Sequence, residues 1–140
     1  MVNPDEISRD YSSIYGNDAK GSGHARSMLD SPQAWSASVA AQGEWMQIDL
    51  GYMMCVHGAV TQSRKANDQW VTSYKISYSA DGGSFTEPPQ VFTGNDKSDE
   101  SKVTNNFNAV ETRYVRFIVQ AWHAYISMRA AVIASALGIA

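Results

Sequence analysis

Three short stretches constrain this chain more than any other feature, because each alternates apolar and polar residues with a period of two. In "WMQIDLG", Met46, Ile48 and Leu50 fall on one face and Gln47 and Asp49 on the other. In "SYKISYS", Tyr74, Ile76 and Tyr78 alternate with Lys75 and Ser77; in "RYVRFIV", Val115, Phe117 and Val119 oppose Tyr114, Arg116 and Ile118. An extended backbone points successive side chains to opposite faces, so such runs form half-buried strands. Stripes with the 3.6-residue period of a helix are missing, and "YISMRAAVIA" reads as a final, mostly buried strand. Asp81-Gly82-Gly83 supplies the positive-φ residues of a tight hairpin after the second run. The chain is therefore expected to be all-β, a sandwich of jelly-roll type.

At 140 residues the chain can bury a core without disulfides or metals. One domain over residues 1–140 is expected, with its core from about 7 to 133. The segment "SSIYGNDAKGSGHARSMLDSPQAW" is rich in Gly and polar residues and reads as long loops between short strands, the usual place for binding residues on a β scaffold. "SALGIA" at the end reads as a tail or an interface segment.

Charge and motif content exclude several classes. Eleven Lys and Arg against fourteen Asp and Glu leave −3, and no basic cluster is longer than Arg64-Lys65, which argues against nucleic acid as a partner. No run approaches the roughly 18 apolar residues of a membrane span, and the polar, acidic opening "MVNPDEISRDYSS" does not read as a signal peptide. A soluble chain is expected. Cys55, in "MMCVHGAV", reads as a small buried hydrophobe. There is no nucleophile elbow and no Gly-rich phosphate loop, so an enzyme is not expected. His24, His57 and His123 lack metal-ligand spacing, and the chain has no EF-hand pattern. Asp30 and Ser31 remain as weak calcium candidates, and the acidic run with Asp96, Asp99 and Glu100 reads as a solvated turn.

Taken in order, several blocks resemble the discoidin family, also called coagulation factor V/VIII type C domains. They are Ser12-Ser13, His24-Ala25-Arg26, Leu29-Asp30, Ala34-Trp35, "EWMQIDLG", "VHGAVTQ", "QWVTSYKISYSADGGSF", "VFTGND", "VTNNF", "TRYVRFIVQAW" and "ISMR". The stretch from Met54 to Ser79 is most like the slime-mould lectins of this family, which bind galactose and N-acetylgalactosamine. The resemblance implies an eight-stranded, galactose-binding-like jelly roll with binding loops at one end, placed outside the cell or at its surface. Many members tie their ends with a disulfide; here terminal strand pairing must serve instead. Some relatives hold calcium with a loop resembling "LDSPQAW" and an acid near the end of the chain, and that acid is missing here.

Ring hydroxyls of a sugar are gripped by bidentate groups such as Arg, Asp, Asn and Gln, and its C–H face by an exposed aromatic ring. The segment "SRKANDQW" brings such groups together between two strands. Candidate ligand contacts are Asn17, Asp18 and His24 on the first loop, Asp30 and Ser36 on the second, and Arg64, Lys65 and Asn67 on the third. Trp35 and Trp70 are candidate stacking surfaces, while Trp45 and Trp122 read as core residues. Arg113, Arg116 and Arg129 read as structural, paired with carboxylates such as Asp49. A single shallow sugar site binds weakly, so a homo-oligomer is expected for avidity. The alternatives are a peripheral domain meeting phosphatidylserine membranes, for which Ile14 and Tyr15 are the apolar tip candidates, and a protein-binding adhesion module.

Overall fold

A computed structural model describes residues 1–137. Seven strands follow in order: β1 (Arg9–Tyr11), β2 (Trp35–Ser36), β3 (Trp45–Gln62), β4 (Trp70–Ser79), β5 (Phe92–Thr93), β6 (Val103–His123) and β7 (Ser127–Ala136). Every pairing among them is antiparallel. The only helical pieces among the described residues are short 3-10 turns at Glu6–Ser8 and Tyr15–Asn17.

Two long strands make the sandwich from one connected sheet. β3 breaks register with β6 between Asp49 and Met54, where Gly51 takes φ 86°. The Gly51 N–H is accepted by Asp49 Oδ1 at 2.8 Å, and Asp49 also receives Arg113 Nε and Nη2 at 2.8 and 3.0 Å. A side chain at Gly51 would be strained, so the bend depends on glycine. Before the bend β3 lies between β1 and the end of β6, which in turn pairs with β4; after it, β3 lies between β7 and the start of β6. The eight strands implied by the resemblance are therefore seven, because β3 and β6 each bend to serve both layers.

The alternation read from the sequence sets the core. Met46, Ile48, Tyr74, Ile76, Val115, Phe117 and Val119 from one layer meet Val56, Met128, Ala130 and Val132 from the other in one cluster. Removing that apolar surface from water is the main stabilising contribution. Trp45 is an exception to expectation: it shares the outer face with Gln47 and Asp49, is half-buried, and lies 3.8 Å from the Arg116 guanidinium, whose other side covers Phe85. Trp122 is also half-buried but packs against the core, and Cys55 is half-buried rather than buried.

Two details differ from the expected chain path. Gly82 has φ 79°, yet the chain first meets β4 again at a single Tyr78–Thr86 bridge and pairs with it further on through β5, giving a wide loop instead of a tight hairpin. Asp81 Oδ1 accepts the N–H groups of Gly83 and Ser84, and Pro88-Pro89 cannot donate to a ladder, so no paired strand follows directly. Terminal pairing does close the sandwich: Val2 and Val132 exchange hydrogen bonds of 2.7 and 3.1 Å. Of "SALGIA", β7 takes Ser135 and Ala136, Leu137 is exposed, and residues 138–140 lie outside the described residues.

Candidate functional site

The topology gathers four loops at one end. β3 ends at Gln62 and β4 begins at Trp70, which pairs with His123 at the end of β6. β7 starts four residues later, with Ser127 paired to Ser36 of β2. Ser36 N–H donates to the His24 carbonyl at 3.0 Å, so the first loop is carried to the same place. An open pocket of about 400 Å³ results, lined by Tyr15, His24, Ser36, Arg64, Gln69 and Tyr125.

Each lining residue is held by a specific partner. Arg64 donates from Nε to Gln33 Oε1 at 2.8 Å and from Nη1 to Gln69 Oε1 at 2.9 Å. Gln69 Oε1 also accepts from Ser127 Oγ at 2.9 Å, and Ser127 Oγ lies 2.7 Å from Ser36 Oγ. His24 is fixed by Asp18, whose Oδ2 lies 2.8 Å from both the His24 backbone nitrogen and Nδ1, leaving Nε2 for a ligand. These bonds hold the Asp18 carboxyl below the usual Asp range. Tyr15 packs edge-on to His24 at 4.9 Å and to Tyr125 at 6.1 Å, and the Tyr125 hydroxyl donates to Ala37 O at 2.8 Å.

Beneath the site, a second guanidinium anchors the loops. Arg129 is buried and donates to Ser63 O and Ser31 O at 2.8 Å each, while Nη2 meets Glu100 Oε1 at 2.9 Å. It thus fastens the residue before Arg64 and the loop that carries Gln33. Glu100, half-buried, is therefore tied to a buried guanidinium and is not a freely solvated turn residue, and Arg129 pairs with a carboxylate as expected of a structural arginine.

The sequence-predicted contacts divide into three groups. His24, Ser36 and Arg64 line the pocket. Asp18 stands behind it as the partner of His24. The others lie elsewhere, each for a visible reason. Trp35 is 0% exposed, stacked on Tyr11 at 5.6 Å with its Nε1–H donated to Ser13 O, so it cannot offer a face to a ligand. Trp70 is 7% exposed and covered by the His123 ring at 4.3 Å. Asn67 folds back on its own turn, donating to Lys65 O at 3.1 Å, and Lys65 points to solvent. Asn17 sits exposed in a 3-10 turn.

Asp30 is drawn to Lys102 and Gln62: its Oδ2 lies 2.8 Å from Lys102 Nζ and its Oδ1 accepts from Gln62 Nε2 at 3.1 Å. Ser31 O is given to Arg129 and an ammonium meets Asp30, so both calcium candidates have partners within the chain. No group of three or more His, Cys, Asp or Glu gathers elsewhere among the described residues.

Three lining residues were not among the predicted contacts. In sequence Tyr15 stands out only as an apolar tip, Gln69 lies within "SRKANDQW" beside the candidate residues, and Tyr125 falls in an apolar run with the pattern of a strand. Ala124, at φ 62°, ends β6 with a turn that swings Tyr125 toward the pocket.

The family model described as F5/8 type C domain matches residues 10–132. The chain belongs to this family. It is 36% identical over 105 residues to lactadherin of Sus scrofa, an alignment covering 69% of this chain and 26% of lactadherin. The chain thus spans about a quarter of that relative. Discoidin II of Dictyostelium discoideum superposes with a TM-score of 0.71 at 24% identity, covering 90% of this chain and 53% of that one. A CBM32 module from Clostridium perfringens, solved with GalNAc-β-1,3-galactose, gives 0.67 at 19% identity and 88% coverage of both chains. These structural likenesses establish the discoidin, galactose-binding-like fold.

Proposed function

We propose that this chain is a lectin-type binding domain, without catalytic activity, that recognises terminal galactose or N-acetylgalactosamine on glycans. The observation that carries this reading is the convergence of Arg64, His24, Gln69 and Ser36 with two tyrosine rings around one open pocket. Planar, fixed polar groups match vicinal hydroxyls, and a tyrosine face matches the apolar side of a pyranose. The Clostridium perfringens module in complex with GalNAc-β-1,3-galactose supports the choice of sugar class. Clustering of several such weak sites in a homo-oligomer at a cell surface would give the avidity that adhesion requires. No helix among the described residues is long and apolar enough to cross a membrane. A glycan array tests the reading: galactosides should dominate the signal, and silence across the array would refute it.

One observation favours a second reading. Tyr15 is 51% exposed and Val39 56%, and both sit on loops of the pocket end, so a membrane carrying phosphatidylserine could be met by these tips with Arg64 and Lys65 beside them. Co-sedimentation with phosphatidylserine vesicles that is insensitive to galactose would select this reading.

A further inference from the structure

The charge left on Arg64 sharpens the ligand class. Its two assigned partners, Gln33 Oε1 and Gln69 Oε1, are neutral amide oxygens that orient the guanidinium without neutralising it. Its Nη2 has no hydrogen-bond partner among the described residues. The other arginines with a comparable fixed geometry are differently placed. Arg113 is paired with Asp49 and Arg129 with Glu100, Arg116 is held between Trp45 and Phe85, and Arg9 is buried against backbone carbonyls. Arg26 lies near Glu6 and Asp18 and acts on both carboxylates.

Among the described residues no carboxylate lines the pocket. The acids of the neighbouring loops turn to other partners: Asp18 to His24, Glu44 to the Ser13 hydroxyl, and Asp68, exposed at the rim, to His123 Nε2 at 3.1 Å. Lys65, next along the loop, is exposed and makes no ion pair among the described residues, so it adds a positive charge at the rim. Burial also pushes the Arg64 guanidinium below its ordinary value, the mark of a cation that has lost part of its water. In a chain of net charge −3, Arg64 is an oriented cation that makes no ion pair among the described residues.

We infer that the pocket prefers a galactoside bearing a carboxylate, a galacturonate-type sugar, over its neutral counterpart. This rests on the carbohydrate reading above. A neutral hydroxyl offers the partly desolvated guanidinium only a dipole. A carboxylate supplies a charge-assisted hydrogen bond of roughly twice the strength, in surroundings less polarisable than bulk water. The ring of such a sugar still meets Tyr15, Tyr125 and His24 as a neutral galactoside would.

Calorimetric titration of the chain with galactose, galacturonate and galacturonate methyl ester separates the possibilities. At about 20 mM NaCl galacturonate should bind at least about tenfold more tightly than either neutral sugar, and the gap should narrow at about 300 mM NaCl. Equal affinities for the three would overturn this inference and leave the carbohydrate reading standing. No binding by any of them would overturn both. Arg64→Gln, confirmed folded by circular dichroism, should lose the preference for galacturonate; if it keeps that preference unchanged, the carboxylate is bound elsewhere and the inference fails.

Discussion

Asp18 Oδ2 lies 2.8 Å from both the backbone nitrogen and the Nδ1 of His24, so one carboxylate oxygen sets the position and the tautomer of the pocket's imidazole. The geometry depends on Gly23. Its φ is +48°, and a Cβ there would fall 2.1 Å from that same oxygen.

Gly23→Ala should therefore displace Asp18 and release His24. Galactoside affinity should fall about tenfold or more, the scale of a lost hydrogen bond to a charged group, while the melting temperature changes by only a few degrees because the loop is at the surface. Calorimetric titration and thermal denaturation on the same preparation check both halves.

Tyr15 and Trp35 make opposite predictions, although both are aromatic residues of the chain's first third. Tyr15→Ala removes an exposed ring and should weaken binding several-fold with stability nearly intact. Trp35→Ala empties a fully buried site and removes the donor to Ser13 O, and should cost about 3–5 kcal/mol of stability in urea unfolding. Little change in stability for Trp35→Ala would mean that the ring is not packed as described.

Arg129→Met leaves two backbone carbonyls and the Glu100 carboxylate without their buried partner. The expected loss is about 3–5 kcal/mol. Because Arg129 also fixes Ser63 O and Ser31 O, ligand affinity should fall even at temperatures where the variant is fully folded. Native affinity in the folded variant would show that the anchoring has no influence on the pocket.

The Asp49–Arg113 pair makes a pH-dependent contribution. Its side-chain hydrogen bonds to Arg113 hold the Asp49 carboxyl below the usual Asp range, despite the opposing effect of burial. A lowered folded-state value stabilises the protein above the unfolded Asp value of about 4, and that contribution is lost as pH falls through the folded value. Asp49→Asn should thus lower stability by no more than about 1 kcal/mol near pH 7, since the pair is partly exposed, and the two proteins should converge only once the pH has fallen below the folded-state value of Asp49. Urea unfolding across this pH range checks the convergence.

The strands were legible because period two is a direct consequence of extended geometry: Met46, Ile48, Tyr74, Ile76, Val115 and Phe117 all point inward as the alternation requires. The end of the sandwich that carries the pocket was legible too, since "SRKANDQW" is a polar insertion between two plain strands. Composition does not show which way a loop residue turns. Asn67 and Arg64 are three residues apart, yet the tight turn with Ala66 at φ 57° sends Asn67 back to Lys65 O while Arg64 is held toward Gln33 and Gln69. Trp35 was ambiguous for a related reason. Its place beside a loop suggested exposure, but Ala25 and Met128 pair with it across two backbones and bury it. Tyr125 was hidden by the apolar run that follows it.

The most direct test of the account is a ¹⁵N-resolved NMR titration of the chain with galactose or a methyl galactoside. Shift changes should be confined to the loops around Tyr15, His24, Arg64, Gln69 and Tyr125, and should disappear in Arg64→Ala. Changes centred on Asp30 and Lys102, or unaltered binding in Arg64→Ala, would contradict it.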